Sequence, residues 1–135
     1  INAPITEVFS RLADHANWQN FPGVSESELI QPGRVLKNGV GAVRRISAPG
    51  FTAVEEITGF VPLARIRYQI IESSPIKLKH DYALIVLRPE TLNSTRVIWE
   101  TKGLVDVPLV DAVLGLLVAA EVKQSFTNIL QSMNR

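Results

Sequence analysis

The stretch 65-RIRYQIIE-72 decides the fold. Ile66, Tyr68 and Ile70 alternate with Arg65, Arg67 and Gln69, a period of two that fits a strand with one covered face and no helix. The stretch 96-RVIWETK-102 repeats the pattern, with Val97, Trp99 and Thr101 on one parity and Arg96, Ile98, Glu100 and Lys102 on the other. Two strands of this kind predict an antiparallel sheet that is covered on one face and wet on the other.

Working outward, Pro32-Gly33, Asn38-Gly39, Pro49-Gly50, Gly59 to Pro62, Ser73 to Pro75 and Pro89 to Ser94 punctuate the chain at fairly regular intervals. With no helical periodicity between them, these turn signals predict a meander from Val24 to Thr101. Ala83 to Leu87 is apolar on both parities, so its inner face cannot be told from its outer one. Upstream, Pro4 suits a first helical turn, and Ile5, Val8, Phe9 and Leu12 follow at the spacing of one helical face. A second short helical piece is expected from Asp14 to Phe21, stopped by Pro22-Gly23.

Downstream of Asp106-Val107-Pro108, a long helix is expected to run to about Met133. Its second half carries one apolar stripe, Val118, Val122, Phe126, Ile129 and Met133, whereas Leu109 to Ala120 is apolar on nearly every side and requires a cover. The order of helix pair, meander and long helix is that of one α+β domain spanning residues 1–135.

Composition narrows the function. Lys plus Arg number 14 against 13 for Asp plus Glu, which gives neither a nucleic-acid footprint nor a polybasic membrane anchor. The absence of cysteine removes disulfides, thiolate metal sites and a cysteine nucleophile. No apolar run is long enough for a transmembrane segment. A soluble protein is expected, with the cytoplasm as default compartment and the envelope left open. Ile1-Asn2-Ala3-Pro4 reads as the end of a strand running into a helix, so a further segment, the rest of a first strand, a signal or a tag, is expected before residue 1.

The segments Ala3-Pro4-Ile5-x-x-Val8-Phe9, Trp18-x-x-Phe21-Pro22, Gly41-x-Val43-Arg44, Glu55-Glu56-Ile57, Arg67-Tyr68 and Val97-x-Trp99 resemble, in order and spacing, the polyketide cyclase/dehydrase and lipid-transport family of the START-like (SRPBCC) superfamily. The resemblance implies a helix-grip (Bet v 1-like) fold: a curved antiparallel sheet wrapped around a long C-terminal helix, with two short N-terminal helices and a cavity between sheet and helix. A more distant similarity to plant abscisic-acid receptors, carried by Gly41-Ala42-Val43-Arg44, Glu55 and Val105-Asp106-Val107-Pro108, implies that Arg44, Ile46, Glu55 and Ile57 point inward. The gating-loop sequences of those receptors are absent, and hormone binding is not carried over.

Glu55 and Glu56 are neighbours on a strand, face opposite ways and cannot act as a carboxylate pair. Glu55 is expected either to contact a ligand or to form an ion pair with Arg44 across adjacent strands. Tyr68 and Trp99 bring apolar area with one polar handle each, as core or as pocket wall. Trp18 is a lid over the pocket mouth or a staple between helices and sheet. His15 and His80 lack partners at metal-ligand spacing, so no metal is expected. Ser73-Ser74-Pro75 is a turn rather than a nucleophile elbow, and Gly39-x-Gly41 lacks the third glycine of a phosphate cradle. Lys77, Lys79 and His80 form a small basic cluster expected to be a solvated edge, with docking to an anionic lipid surface as the lesser alternative.

Three functions follow. The first is binding or transport of a lipid or polyketide-like molecule, without a cofactor, contacted by Trp18, Arg44, Ile46, Glu55, Ile57, Tyr68, Ile70, Val97, Trp99, Thr101, Val113 and Leu117. The second is a cyclase or dehydratase in which Glu55 or Tyr68 exchanges protons. The third is a homodimeric or partner-binding module that covers Leu109 to Ala120.

Overall fold

The computed structural model describes residues 1–105 and 111–135, leaving aside the side chains of Val105 and of 111–118. Helix α1, Ile5–Ala13, starts at Pro4, whose carbonyl accepts the Glu7 and Val8 amides at 3.1 Å. It buries Val8, Phe9, Leu12 and Ala13 on one face. Each of the larger three contributes about 1.5–3 kcal/mol by leaving water. The second expected helix forms instead as a 3₁₀ helix, His15–Asn20, kinked at Asn17.

Six strands follow: β1 Glu26–Gln31, β2 Val43–Ala48, β3 Phe51–Val61, β4 Arg65–Ser74, β5 Leu78–Thr91 and β6 Ser94–Val105. They pair antiparallel in chain order. Helix α2, Asp111–Gln131, closes the chain.

Alternation holds where it was readable. Ile66 and Tyr68 are buried while Arg65 and Arg67 are exposed. Register now orients the ambiguous strand: Tyr68 pairs with Ala83 and Ile66 with Ile85, so Ala83, Ile85 and Leu87 point inward and are buried. Gly59, expected in a turn, lies inside β3 at a register shift opposite Arg67, where an added Cβ would come within 3.0 Å of the arginine Cβ. A glycine in a strand commonly marks such a bulge.

The β4–β5 register ends at Tyr68 and Ala83. Beyond it, the Ile70 amide donates to His80 Nδ1 at 2.8 Å and Gln69 Nε2 donates to the His80 carbonyl at 3.1 Å. Side chains thus take over from the backbone ladder, because the Ile70 amide would otherwise lack a partner. Met133 and Ile129 near the end of α2 join α1, Trp18, Phe21 and the inward residues of β3 to β5 in one core.

Candidate functional site

The site grows from a cross-strand pair. Arg44 on β2 stands opposite Glu55 on β3, so their side chains leave the same face side by side. Arg44 Nε donates to Glu55 Oε1 at 2.9 Å. Arg44 is fully buried and Glu55 is 7% exposed. The expected ion pair exists, and it carries a third member. Arg44 Nη1 lies 3.1 Å from His15 Nδ1, and His15 Nε2 lies 2.8 Å from the Asn38 carbonyl.

Chemistry fixes the tautomer. Arginine has only donors and a carbonyl only accepts, so Nδ1 is the acceptor and Nε2 carries the hydrogen. The imidazole is neutral. Burial, together with the charge of Arg44, lowers its pKa from 6.5 to about 3, against a smaller opposing pull from the Asn38 carbonyl.

Aromatic rings enclose this cluster. The guanidinium carbon of Arg44 sits 4.1 Å from the Trp18 ring centroid and 4.8 Å from that of Tyr68, within cation–π range of both. Trp18 donates to the Leu12 carbonyl at 3.0 Å and packs edge-on against Phe21 and Trp99. Trp99 donates to Tyr68 Oη at 3.1 Å and stacks on Phe126 of α2, with centroids 3.7 Å apart and planes at 10°.

Burial pushes the Glu55 carboxyl above its ordinary value, while the charge and hydrogen bond of Arg44 pull it back. The Tyr68 phenol is raised by burial first and by Glu55 second. Arg44 Nη2 is buried and has no hydrogen-bond partner among the described residues, a costly state for a polar group out of water.

The expected residues separate into groups. Arg44, Glu55, Tyr68, Trp18 and Trp99 come together around the guanidinium. Trp18 is 3% exposed and is packed as a staple, not exposed as a lid. Ile57 is fully buried in the core. Ile46, Ile70 and Val97 are half-buried. Thr101 is exposed and bonded through Oγ1 to His80 Nε2 at 2.8 Å. Leu109 and Val110 lie outside the described residues, as do the side chains of 111–118, those of Val113 and Leu117 among them, whereas Ala119 and Ala120 are exposed. Two hollows among the described residues are bounded by Gln19, Glu26, Ser27, Glu28 and Arg45, and by Arg11, Asp14, Asn17, Asn20 and Phe21. Neither touches the expected lining set.

Three participants were not anticipated. His15 stands three residues before Trp18, on the same face of a helical turn, and that spacing was the available signal. His80, assigned to a solvated edge, is half-buried, faces Tyr68 with ring centroids 6.3 Å apart and fills a strand gap. Burial is the main cause lowering its pKa. The Asn38 carbonyl is a backbone group in a turn and had no side-chain signal.

The family model for polyketide cyclase/dehydrase and lipid transport matches residues 1–134. The chain therefore belongs to that family, within the START-like (SRPBCC) superfamily. Among solved structures it is similar to a START superfamily protein from Mycobacterium smegmatis, with a TM-score of 0.81 at 12% identity over 99% of this chain and 91% of that one. It is also similar to the di-domain aromatase/cyclase BexL, with a TM-score of 0.70 at 18% identity over 96% of this chain and 42% of that one. The Zhui aromatase/cyclase from a Streptomyces species gives 0.62 at 19% identity over 79% and 64%. At these identities the likeness is one of fold: a START/Bet v 1-like, six-stranded antiparallel sheet with a C-terminal helix. No curated protein matches the sequence.

Proposed function

We propose that the chain is a non-catalytic binding protein that holds a hydrophobic or amphiphilic small molecule, a lipid or polyketide-like compound, between the inner sheet face and α2. The observation that carries this reading is the neighbourhood of Ile46, Ile70, Val97 and Trp99. These apolar residues stay only half-buried on a sheet that also carries a fully buried arginine whose Nη2 lacks a partner among the described residues. Apolar wall with one or two fixed polar groups is the usual make-up of a small-molecule site. Membership in a family described by polyketide cyclisation and lipid transport supports the same reading.

A second reading is a cyclase or dehydratase, favoured by the upward push that burial gives the Glu55 carboxyl, the direction a general acid needs. Arg44 opposes it by holding that carboxylate in an ion pair. Thermal shift across a lipid and aromatic polyketide panel tests the binding reading, since a ligand that binds only the folded state raises Tm. Glu55→Gln and Tyr68→Phe then separate the two. A cyclase loses turnover at nearly unchanged affinity, and a carrier loses affinity alone. No Tm shift with any compound contradicts the binding reading.

A further inference from the structure

The meander places the β1–β2, β3–β4 and β5–β6 connections at one end of the sheet, and that end is unusual in composition. Val35 is 92% exposed, Leu36 52%, Leu63 43% and Leu92 92%. Around these aliphatic tips stand Arg34, Lys37, Arg65 and Arg88, all exposed. None of the four makes an ion pair among the described residues. Glu90, the one carboxylate in residues 32–42, 61–65 and 88–96, is taken by Arg96 at 3.0 Å.

The tips are displayed by ordered backbone. In the β1–β2 connection the Gly33 amide donates to the Lys37 carbonyl at 2.9 Å, Arg34 to Val40 at 3.0 Å and Gly39 to Leu36 at 3.0 Å. A Cβ on Gly33 would lie 2.2 Å from the Leu36 carbonyl oxygen, so only glycine permits this tight loop. The Leu87 amide ties the β3–β4 turn to β5 through the Ala64 carbonyl at 2.8 Å.

We infer that this end of the sheet docks on an anionic lipid bilayer, with Val35, Leu36, Leu63 and Leu92 entering the headgroup layer and the four cations meeting lipid phosphates and carboxylates. The charge is complementary, and a bilayer accepts separate aliphatic tips. Four tips on three separate turns are poorly suited to a protein partner, which takes a continuous surface of roughly 800 Å². The inference stands apart from the binding site on the inner face.

Co-sedimentation with vesicles of phosphatidylcholine alone and of phosphatidylcholine with phosphatidylserine tests it. The chain is expected to bind the mixed vesicles at least about tenfold more tightly, with binding weakened by added salt. Val35→Asp/Leu92→Asp and, separately, Arg34→Glu/Lys37→Glu should each lose most of that binding, by about tenfold or more. All four positions are exposed, so unchanged Tm and retained thermal shift with an inner-face ligand keep docking distinct from folding and from the binding reading. If the first variant is destabilised, Leu92→Asp alone serves. Equal binding to both vesicle types, no binding to either, or full binding by these variants overturns the inference. So does a concentration-dependent dimer in sedimentation velocity that Val35→Asp abolishes while vesicles recruit nothing.

Discussion

His15 Nδ1 accepts a hydrogen bond from Arg44 Nη1 at 3.1 Å, which makes a histidine of the 3₁₀ helix a structural partner of a cation on β2. Through this contact the Asn38 loop, the 3₁₀ helix and the β2–β3 pair share one buried polar chain. A chain of this kind stabilises the fold only when every member is present.

Removing one member should therefore cost more than removing two. Arg44→Met leaves Glu55 buried without its cation and is expected to destabilise by about 3–5 kcal/mol. Arg44→Met/Glu55→Leu should recover a large part of that loss. Urea unfolding of the wild type, both single variants and the double variant gives the coupling. Additive effects would show that the two side chains do not interact.

The pH dependence follows from His15. A histidine held neutral in the fold, with its pKa lowered to about 3, takes up a proton on unfolding below 6.5. Its contribution is complete above 6.5 and is lost as pH falls from there toward 3, amounting to at most about 5 kcal/mol. His80 is also lowered and adds with the same sign. Glu55, raised in the fold, opposes them: stability rises as pH falls from its raised value toward 4.5. Urea midpoints measured from pH 7 to pH 4 should decline, and the slope should flatten in His15→Gln. An unchanged slope in that variant would contradict a buried neutral imidazole.

The Tyr68 hydroxyl accepts the Trp99 indole hydrogen, and Tyr68→Phe leaves that donor unsatisfied at a cost of about 1–3 kcal/mol. Because the indole stacks on Phe126, tryptophan emission should change with the substitution. Unchanged emission together with unchanged stability would remove the hydrogen bond from the account.

Strand parity is testable on two isoleucines. Ile57 is fully buried and Ile98 is 51% exposed. Ile57→Ala should cost about 2–5 kcal/mol, and Ile98→Ala within about 0.5 kcal/mol of nothing. Similar costs at both positions would mean that the sheet faces are assigned wrongly.

Much of this architecture was legible in RIRYQIIE and RVIWETK, since alternation states directly which face is covered. Ala83 to Leu87 resisted because both parities are apolar, and only its pairing with β4 decided the matter. Gly59 was misplaced because a bulge and a turn use glycine for the same backbone freedom. In the site, the inward parity of Arg44 and Glu55 was implied by the receptor resemblance, and their strand positions left both an ion pair and a ligand contact open. His15 and His80 could not be assigned, because their roles depend on tertiary contacts: one with a guanidinium from another element, the other with a backbone amide left unpaired where the β4–β5 register stops.

Native mass spectrometry of gently purified protein tests the central claim most directly. The account predicts a second population, heavier than the bare chain by a non-covalent mass that organic solvent extracts, and a smaller share of it in Arg44→Met that remains folded. Only the bare chain mass, in preparations that refuse every added lipid and polyketide, would contradict it.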